Sequence, residues 1–488
     1  MQILLVVNQN DNWPLDIDGI RIVNSRTYLS DPEFSLMRKV RVFNLCRSYS
    51  YQSVGYYVSL LAEARGHKPL PDAYSLMSMR SQQVVRFISD DLDELIQKSL
   101  APLKSNRFDL SIYFGRNVAK RYDRLSQKLF EALNAPFLRT SFVKHRKWML
   151  QKASPIASKD IPVSHWSFVI KAAEDYFRRK RKSGHKKMPT RFDIAILLSQ
   201  EEKLPPSNER AIKKFIKAGI SLNLGVEVIQ KDDFSRLAEF DGLFIRETTS
   251  VNHYTYNFAR GAATEGLVVI DDPESILKCT NKVFLAELLQ RHKIPIPKTM
   301  IAHRDNMNQV AEVLGLPCII KQPDSSFSQG VMKVETDEEL QEKIKKLLTR
   351  SEMVIAQQFL PTDFDWRIGV LDKKPLYACR YFMAKGHWQI IDYGKTGRIR
   401  EGNADTIPIE DVPEKVLKTA LKAANLIGDG LYGVDLKQIG RKVYVIEVND
   451  NPNIDAGMED MVLKDELYRT VMKSFISRIE QKRLAGRK

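Results

Sequence analysis

Residues 444–453 read YVIEVNDNPN, from Tyr444 to Asn453. An apolar, strand-like run ends in Glu447, Asn449, Asp450, Asn451 and Asn453, crowded around Pro452. Side chains on a strand alternate faces with a period of two. Glu447 and Asn449 therefore point the same way, while Val445, Ile446 and Val448 supply packing. One reading is a solvent-facing strand end followed by an Asn-Pro turn. The other is a pair of oxygen ligands held on a rigid strand for a hard cation such as Mg²⁺. Taken alone, the stretch favours the first, because polar strand ends are common.

The neighbouring residues shift that balance. GLYGVDLKQIGRKVYVIEVNDNPN, 430–453, reads as a hairpin turning at Ile439-Gly-Arg-Lys442. Its first strand brings Asp435 towards Glu447 and Asn449, so three oxygen donors converge. Upstream, a helix is expected around Asn281-Lys282, a strand over Cys318–Lys321, and a small polar loop over Asp324–Val331. A strand Met353–Leu360 runs into Pro361, and 363–383 give two strands around the turn Asp372–Pro375. A helix over Glu414–Asn425 precedes the hairpin. Lys282, Lys321 and Arg367 place three cations on these elements. The Ser/Gly loop 325–330 between Lys321 and Arg367 offers backbone N–H groups that can cradle phosphate oxygens. A nucleoside triphosphate needs such cations, a loop of donors and Mg²⁺. Gln357–Leu360 is an apolar strand end suited to an adenine edge. Each feature is weak alone; their order and spacing carry the reading.

Further out, 192–273 alternate strand and helix signals: Phe192–Leu198, a helix capped by Ser207 and running to Ala218, Leu224–Ile229, Gly242–Arg246, the helix Asn257–Glu265 and Leu267–Ile270. That alternation predicts a small parallel, doubly wound sheet. Residues 1–165 read as mixed α/β, with strands at Ile3–Val7, Val40–Leu45 and Leu110–Phe114. A helix over Ser53–Arg65 is stopped by Gly66, and the helical signal continues over 75–88. Between these regions, 166–191 are read as a basic connector. Its 178–191, RRKRKSGHKKMPTR, hold eight Lys and Arg and no acid. A solvated linker is the preferred reading, because no aromatic residues interleave to stack bases.

The chain has 488 residues and a net charge of +16, too long for one core and typical of about three domains. Met1–Val7 is expected to be a first core strand rather than a signal peptide, since it is short and lacks a basic leader. No apolar run is long enough to span a bilayer. Cys46, Cys279, Cys318 and Cys379 are scattered without metal or redox spacing. These features together lead to the expectation of a reducing cytoplasm.

TNKVFLAELLQ, CIIKQPDSSFSQGV, IAQQFLPTDFDWRIGV, ACRYF and GVDLKQIGRKVYVIEVNDNPN make residues 274–460 resemble the RimK-like branch of the ATP-grasp superfamily. The resemblance implies an α/β chain with an α+β ATP-grasp fold. It is divided into an N-terminal α/β domain (1–165) similar to the RimK-like ATP-grasp N-terminal domain, the basic linker (166–191), a parallel-sheet pre-ATP-grasp domain (192–273) and a two-lobed ATP-grasp domain (274–488). It also implies roles. Lys282 and Lys321 would hold the phosphates, with Ser326, Ser328, Gln329 and Gly330 as the phosphate loop. Gln357, Gln358, Phe359 and Leu360 would form the adenine hinge. Asp365 and Arg367 would form the Asp-x-Arg element, and Arg380 would steady the transferring phosphoryl group. Asp435, Glu447 and Asn449 would bind Mg²⁺ or Mn²⁺, and Asn451 would face the acceptor. The loop departs from the pattern in having one glycine, Gly330, beside Ser325, Ser326 and Ser328.

The expectation is therefore an ATP-dependent carboxylate–amine ligase acting through an acyl phosphate. The partners would be a small-molecule or peptide carboxylate and an amine acceptor, with a protein substrate also open; addition of glutamate to a peptide or protein is one form of this. Nucleic acid is disfavoured and no membrane is expected. A phosphotransferase on the same fold, and a nucleic-acid or ribosome-binding protein with a secondary ATP site, are the alternatives.

Overall fold

The computed structural model describes residues 2–8, 17, 19–38, 40–179, 190–324, 330–393 and 399–485. They form two units, Met1–Lys187 and Met188–Lys488.

The first unit holds a parallel sheet in the order Arg21–Asn24, Gln2–Val7, Val40–Asn44, Lys68–Leu70. It also holds an antiparallel sheet of Arg107–Tyr113, Phe137–Lys144 and Trp148–Pro155. Val40–Asn44 is buried at every residue, as a strand covered on both faces must be. The helical signal expected over 75–88 is split into Ala73–Ser78 and Gln82–Asp91, because Ser81 accepts from the Val84 amide and caps a new helix. Residues 166–179, read from sequence as the start of the connector, form the helix Trp166–Arg179. Its Val169, Ala173 and Phe177 belong to this unit's core, where Phe177 meets Phe43 edge-on at 4.9 Å. The remainder of the basic run, 180–189, lies outside the described residues.

The second unit holds three main sheets. One is parallel, ordered Leu224–Ile229, Phe192–Leu197, Gly242–Ile245, Val268–Ile270. One is antiparallel, ordered Thr299–Ala302, Val354–Gln358, Cys318–Lys321, Val331–Val334. The third is also antiparallel, ordered Ala404–Ile407, Lys374–Phe382, Phe364–Leu371, Leu431–Ile439, Lys442–Asn449. The helix Glu414–Ile427 buries Val416, Ala420 and Ala423 against Ile368, Val434 and Val448 of the third sheet. On the opposite strand parity, Tyr377 and Cys379 join Phe215 and the helix Asp465–Ala485 through Tyr468 and Phe475. The expected cap Ser207 is displaced by one residue. Asn208 accepts from the Ala211 amide at the start of Glu209–Ser221, and the Ser207 hydroxyl donates to the Ile454 carbonyl instead.

The two parallel sheets share one plan. In chain order both run second, first, third, fourth strand. The helices Val54–Ala64 and Tyr254–Thr264 and the strands Lys68–Leu70 and Val268–Ile270 recur at an offset of 200 residues. So do the caps Asp72 and Asp272 and the left-handed glycines Gly66 (φ 70°) and Gly266 (φ 78°), which end the helices without a Cβ clash.

Candidate active site

A cavity of about 540 Å³ is lined by both antiparallel sheets of the second unit and by the loops that follow two strands of its parallel sheet. The C-terminal ends of parallel strands are where such sheets commonly present ligand loops.

The hairpin Leu431–Ile439 and Lys442–Asn449 sets the acidic wall. Asp435 pairs directly with Glu447, and Asn449 pairs with Gly433, so all three side chains face the cavity. A bulge after Asp435 leaves Ile446 out of the register. Ile446 thereby lines the cavity, a placement the sequence reading missed. The Asn449 side-chain amide nitrogen donates to Asp435 Oδ2 (3.2 Å) and to the Gly433 carbonyl (3.4 Å), so its Oδ1 is the end that can accept.

Three cations meet these acids. Lys282 opens the helix Lys282–Arg291, and its Nζ lies 2.9 Å from Glu447 Oε1. Arg367 sits opposite Asp435 on the neighbouring strand and holds its carboxylate through Nε and Nη2, the latter at 2.8 Å. Lys321 ends the strand Cys318–Lys321 and is only 8% exposed. Burial pulls Lys321 down to about 8; Glu447 opposes this and Lys282 adds to it. Burial pushes Glu447 up, but Lys282 and Lys321 outweigh it and hold the carboxyl below its usual range. For Asp435 burial wins over Arg367, and the carboxyl is raised. Asp365 is engaged by Lys437 Nζ at 2.6 Å and Thr362 Oγ1 at 2.9 Å. Lys437 was not singled out from sequence, although it lies two residues beyond Asp435 on the same strand and so on the same face.

The expected hinge also lines the cavity. Gln357 is buried and donates to Thr299 Oγ1 at 2.9 Å, and the Gln358 amide donates to the Lys298 carbonyl. Phe359 packs edge-on against Trp388, and with Leu360, Ile319 and Val331 it makes an apolar wall. Gly330 re-enters the sheet with φ 74°, and its carbonyl accepts from the Gln322 amide. Ser326, Ser328 and Gln329 lie outside the described residues.

Arg380 is the correction. It was expected at the transferring phosphoryl group, but its guanidinium pairs with Asp405 and stacks over Phe364 and Phe382. Strand parity is the reason: Tyr381, one residue on, lines the cavity beneath Arg367, so Arg380 faces the other side of the sheet. Asn451 does line the cavity, but both ends of its amide are engaged. Its Oδ1 accepts from Arg246 at 2.6 Å and its Nδ2 donates to the Glu247 carbonyl at 2.7 Å. Next to it, Asp450 accepts from Thr249 Oγ1 at 2.8 Å and is pushed up to about 7 by burial.

Two facing carboxylates and an amide oxygen are a hard-oxygen donor set of the kind that suits Mg²⁺ or Mn²⁺. Among the described residues no group of three or more His, Cys, Asp or Glu is placed to hold a metal ion. All four cysteines are buried and free, and burial pushes the thiol of each up, away from nucleophilic use.

This fold is that of an ATP-grasp ligase, an enzyme class that forms amide bonds. Residues 25–172 match the RimK-like ATPgrasp N-terminal domain and residues 279–467 the RimK-like ATP-grasp domain; the chain belongs to the RimK-like ATP-grasp family. It is 27% identical over 233 residues to a protein of Vibrio vulnificus named "probable alpha-L-glutamate ligase", covering 47% of this chain and 74% of that one. A protein of the same name from Syntrophotalea carbinolica is 26% identical over 247 residues, covering 49% and 78%. Among solved structures, D-alanine–D-alanine ligase from Bacillus anthracis has a TM-score of 0.47 at 15% identity, over 61% of this chain and 100% of that one. A RimK domain ATP-grasp protein from Sphaerobacter thermophilus has 0.44 at 14%, over 58% and 98%. No helix among the described residues is long and apolar enough to cross a membrane.

Proposed function

We propose that the protein is an ATP-dependent carboxylate–amine ligase that joins an amino acid, with glutamate the first candidate, to a peptide or protein. The observation that carries this reading is the convergence of Lys282, Lys321, Arg367, Asp435, Glu447 and Asn449 on one cavity that also has an apolar wall. The name of the relatives supports glutamate as the amino acid.

In this reading Lys282 and Lys321 bind phosphate oxygens, and Ile319, Val331, Phe359 and Leu360 enclose the base. Asp435, Glu447 and Asn449 would hold the divalent cation, whose chemistry there is neutralisation of phosphate charge. The carboxylate oxygen of the substrate attacks the γ-phosphorus and ADP leaves, giving an acyl phosphate. The amine then attacks the acyl carbon; phosphate departs with the bonding pair, the amine proton passes to solvent, and an amide remains. Phosphoryl transfer asks mainly for positioning and charge neutralisation, which is what Lys, Arg and carboxylates offer without a covalent nucleophile. Arg367, bonded to Asp435 and over Tyr381, would act on developing charge in this reading. The test is ADP release with Mg²⁺ and ATP, with carboxylate and amine supplied separately and together. A ligase completes its cycle only with both, whereas a phosphotransferase turns over without the amine.

A further inference from the structure

Arg246 is 0% exposed and was read from sequence only as the end of a strand. Its Nε donates to Ser207 Oγ (3.1 Å), Nη1 to Asn451 Oδ1 (2.6 Å), and Nη2 to the carbonyls of Pro452 (2.8 Å) and Pro206. Pro206, Asn451 and Pro452 line the cavity; Arg246 itself does not. The next residue, Glu247, accepts the other end of the Asn451 amide through its carbonyl. One side chain thus ties the loop after the first strand of the parallel sheet to the loop after the acidic hairpin.

Burying a guanidinium is costly, so the bland explanation is that the sheet needs it. The first unit supplies an internal control. Its parallel sheet has the same strand order and the same helix and cap spacing. The bond from the Arg246 amide to the Leu197 carbonyl has its counterpart in the bond from the Leu45 amide to the Val6 carbonyl, both 2.9 Å. Leu45 is also 0% exposed. The counterpart of Asp271, a buried acid whose charge interacts with Arg246, is Pro71. The architecture therefore forms with apolar residues at both positions. What the second unit has in addition is the set of acceptors on two cavity loops.

We propose that Arg246 is a positioning residue for the non-nucleotide substrate: it fixes Asn451, Pro452 and the 206–208 loop as one wall of the cavity. The role in catalysis rests on the ligase reading above; the loop-fixing itself does not. None of the cations or hinge residues assigned to the nucleotide is bonded by Arg246, so its loss falls on the second substrate.

The experiment uses the full chain with Arg246→Leu, Arg246→Lys, and Arg246→Leu combined with Asp271→Asn, which preserves charge balance should the single Leu variant fail to fold. Hydrogen exchange is followed in 204–208 and 450–455, with ATP·Mg²⁺ and L-glutamate as probes. The Leu variants should exchange faster in those two loops, by about tenfold or more, while the strand Gly242–Ile245 keeps its protection. ATP affinity should stay within about threefold, the KM for L-glutamate should rise about tenfold or more with kcat changed less, and Arg246→Lys should restore part of the loss, since a point charge cannot serve four acceptors. Unchanged exchange in both loops, or equal losses in glutamate and ATP use, would overturn the proposal. If the wild type shows no glutamate-dependent ADP release, the glutamate reading falls, and loop exchange alone decides the role of Arg246.

Discussion

Replacing Lys321 by Met should stabilise the ligand-free protein and weaken its hold on ATP, two effects of opposite sign. Lys321 is 8% exposed, and its ammonium is pulled from 10.5 to about 8, chiefly by burial. A shift of that size corresponds to a cost on the order of 3 kcal/mol for keeping the lysine charged at pH 7, at 1.36 kcal/mol per unit. Glu447 keeps its other lysine, Lys282 at 2.9 Å, so Met removes the cost without leaving the acid unpaired. The unliganded variant is therefore expected to gain about 1–3 kcal/mol in chemical denaturation; the shift is already net of the Glu447 attraction, so that attraction is not subtracted again. A charge-assisted hydrogen bond contributes about 1.5–3 kcal/mol, so ATP affinity should fall by about ten- to a hundredfold in calorimetry. The pH sign follows from the same group. Between about pH 8 and 10.5 the unfolded chain carries a proton that the folded one has lost, so this lysine makes wild-type stability rise with pH across that window. The Met variant should lack that rise. A variant that is less stable and binds ATP as the wild type does would show Lys321 to be a packing residue and refute the reasoning.

Three further outcomes follow from the same site. Glu447→Gln should keep the fold and cut ATP turnover by about a hundredfold or more, the scale of losing one preorganised electrostatic contact, with an altered Mg²⁺ dependence in a metal titration. Arg380→Ala removes the half-exposed pair with Asp405 and the stacking over Phe364 and Phe382, so turnover should stay within about threefold and stability should fall by about 1–2 kcal/mol at most; a collapse of turnover with unchanged ATP affinity would return Arg380 to the reacting phosphate. Wild-type ATP affinity should weaken as pH rises through about 8, where Lys321 loses its proton, and this dependence should vanish in Lys321→Met.

The hairpin was legible in outline because one tight turn sets its register and parity puts Glu447 and Asn449 on one face. Regular pairing from Ile439–Lys442 runs to Leu436 opposite Val445 and would set Asp435 opposite Ile446; the bulge, which the turn does not dictate, brings Asp435 opposite Glu447. Parity also explains the misplacement of Arg380: a resemblance locates a position along the chain, but a single residue decides which side of the sheet it serves, and here Tyr381 has the cavity. Ser207 and Asn208 are both good caps by chemistry; the choice is made by Ile454, 247 residues away, which takes the serine hydroxyl. Arg246 was illegible for the same reason, since two of its four acceptors, Asn451 and Pro452, come from a loop more than 200 residues downstream. The repeated half-sheet leaves few identities, such as Tyr56 with Tyr256, Gly66 with Gly266 and Asp72 with Asp272. What recurs is the spacing of caps and buried faces, which many apolar residues satisfy.

The central claim is most directly tested by mass spectrometry of the product. The protein is incubated with ATP, Mg²⁺, L-glutamate and a pool of peptides and proteins. The ligase reading predicts a new amide whose mass is that of the two joined substrates less one water, formed with one ADP per bond and absent from the Glu447→Gln protein. ATP consumption that yields a stable phosphorylated product and no amide, with or without the amine, would contradict it.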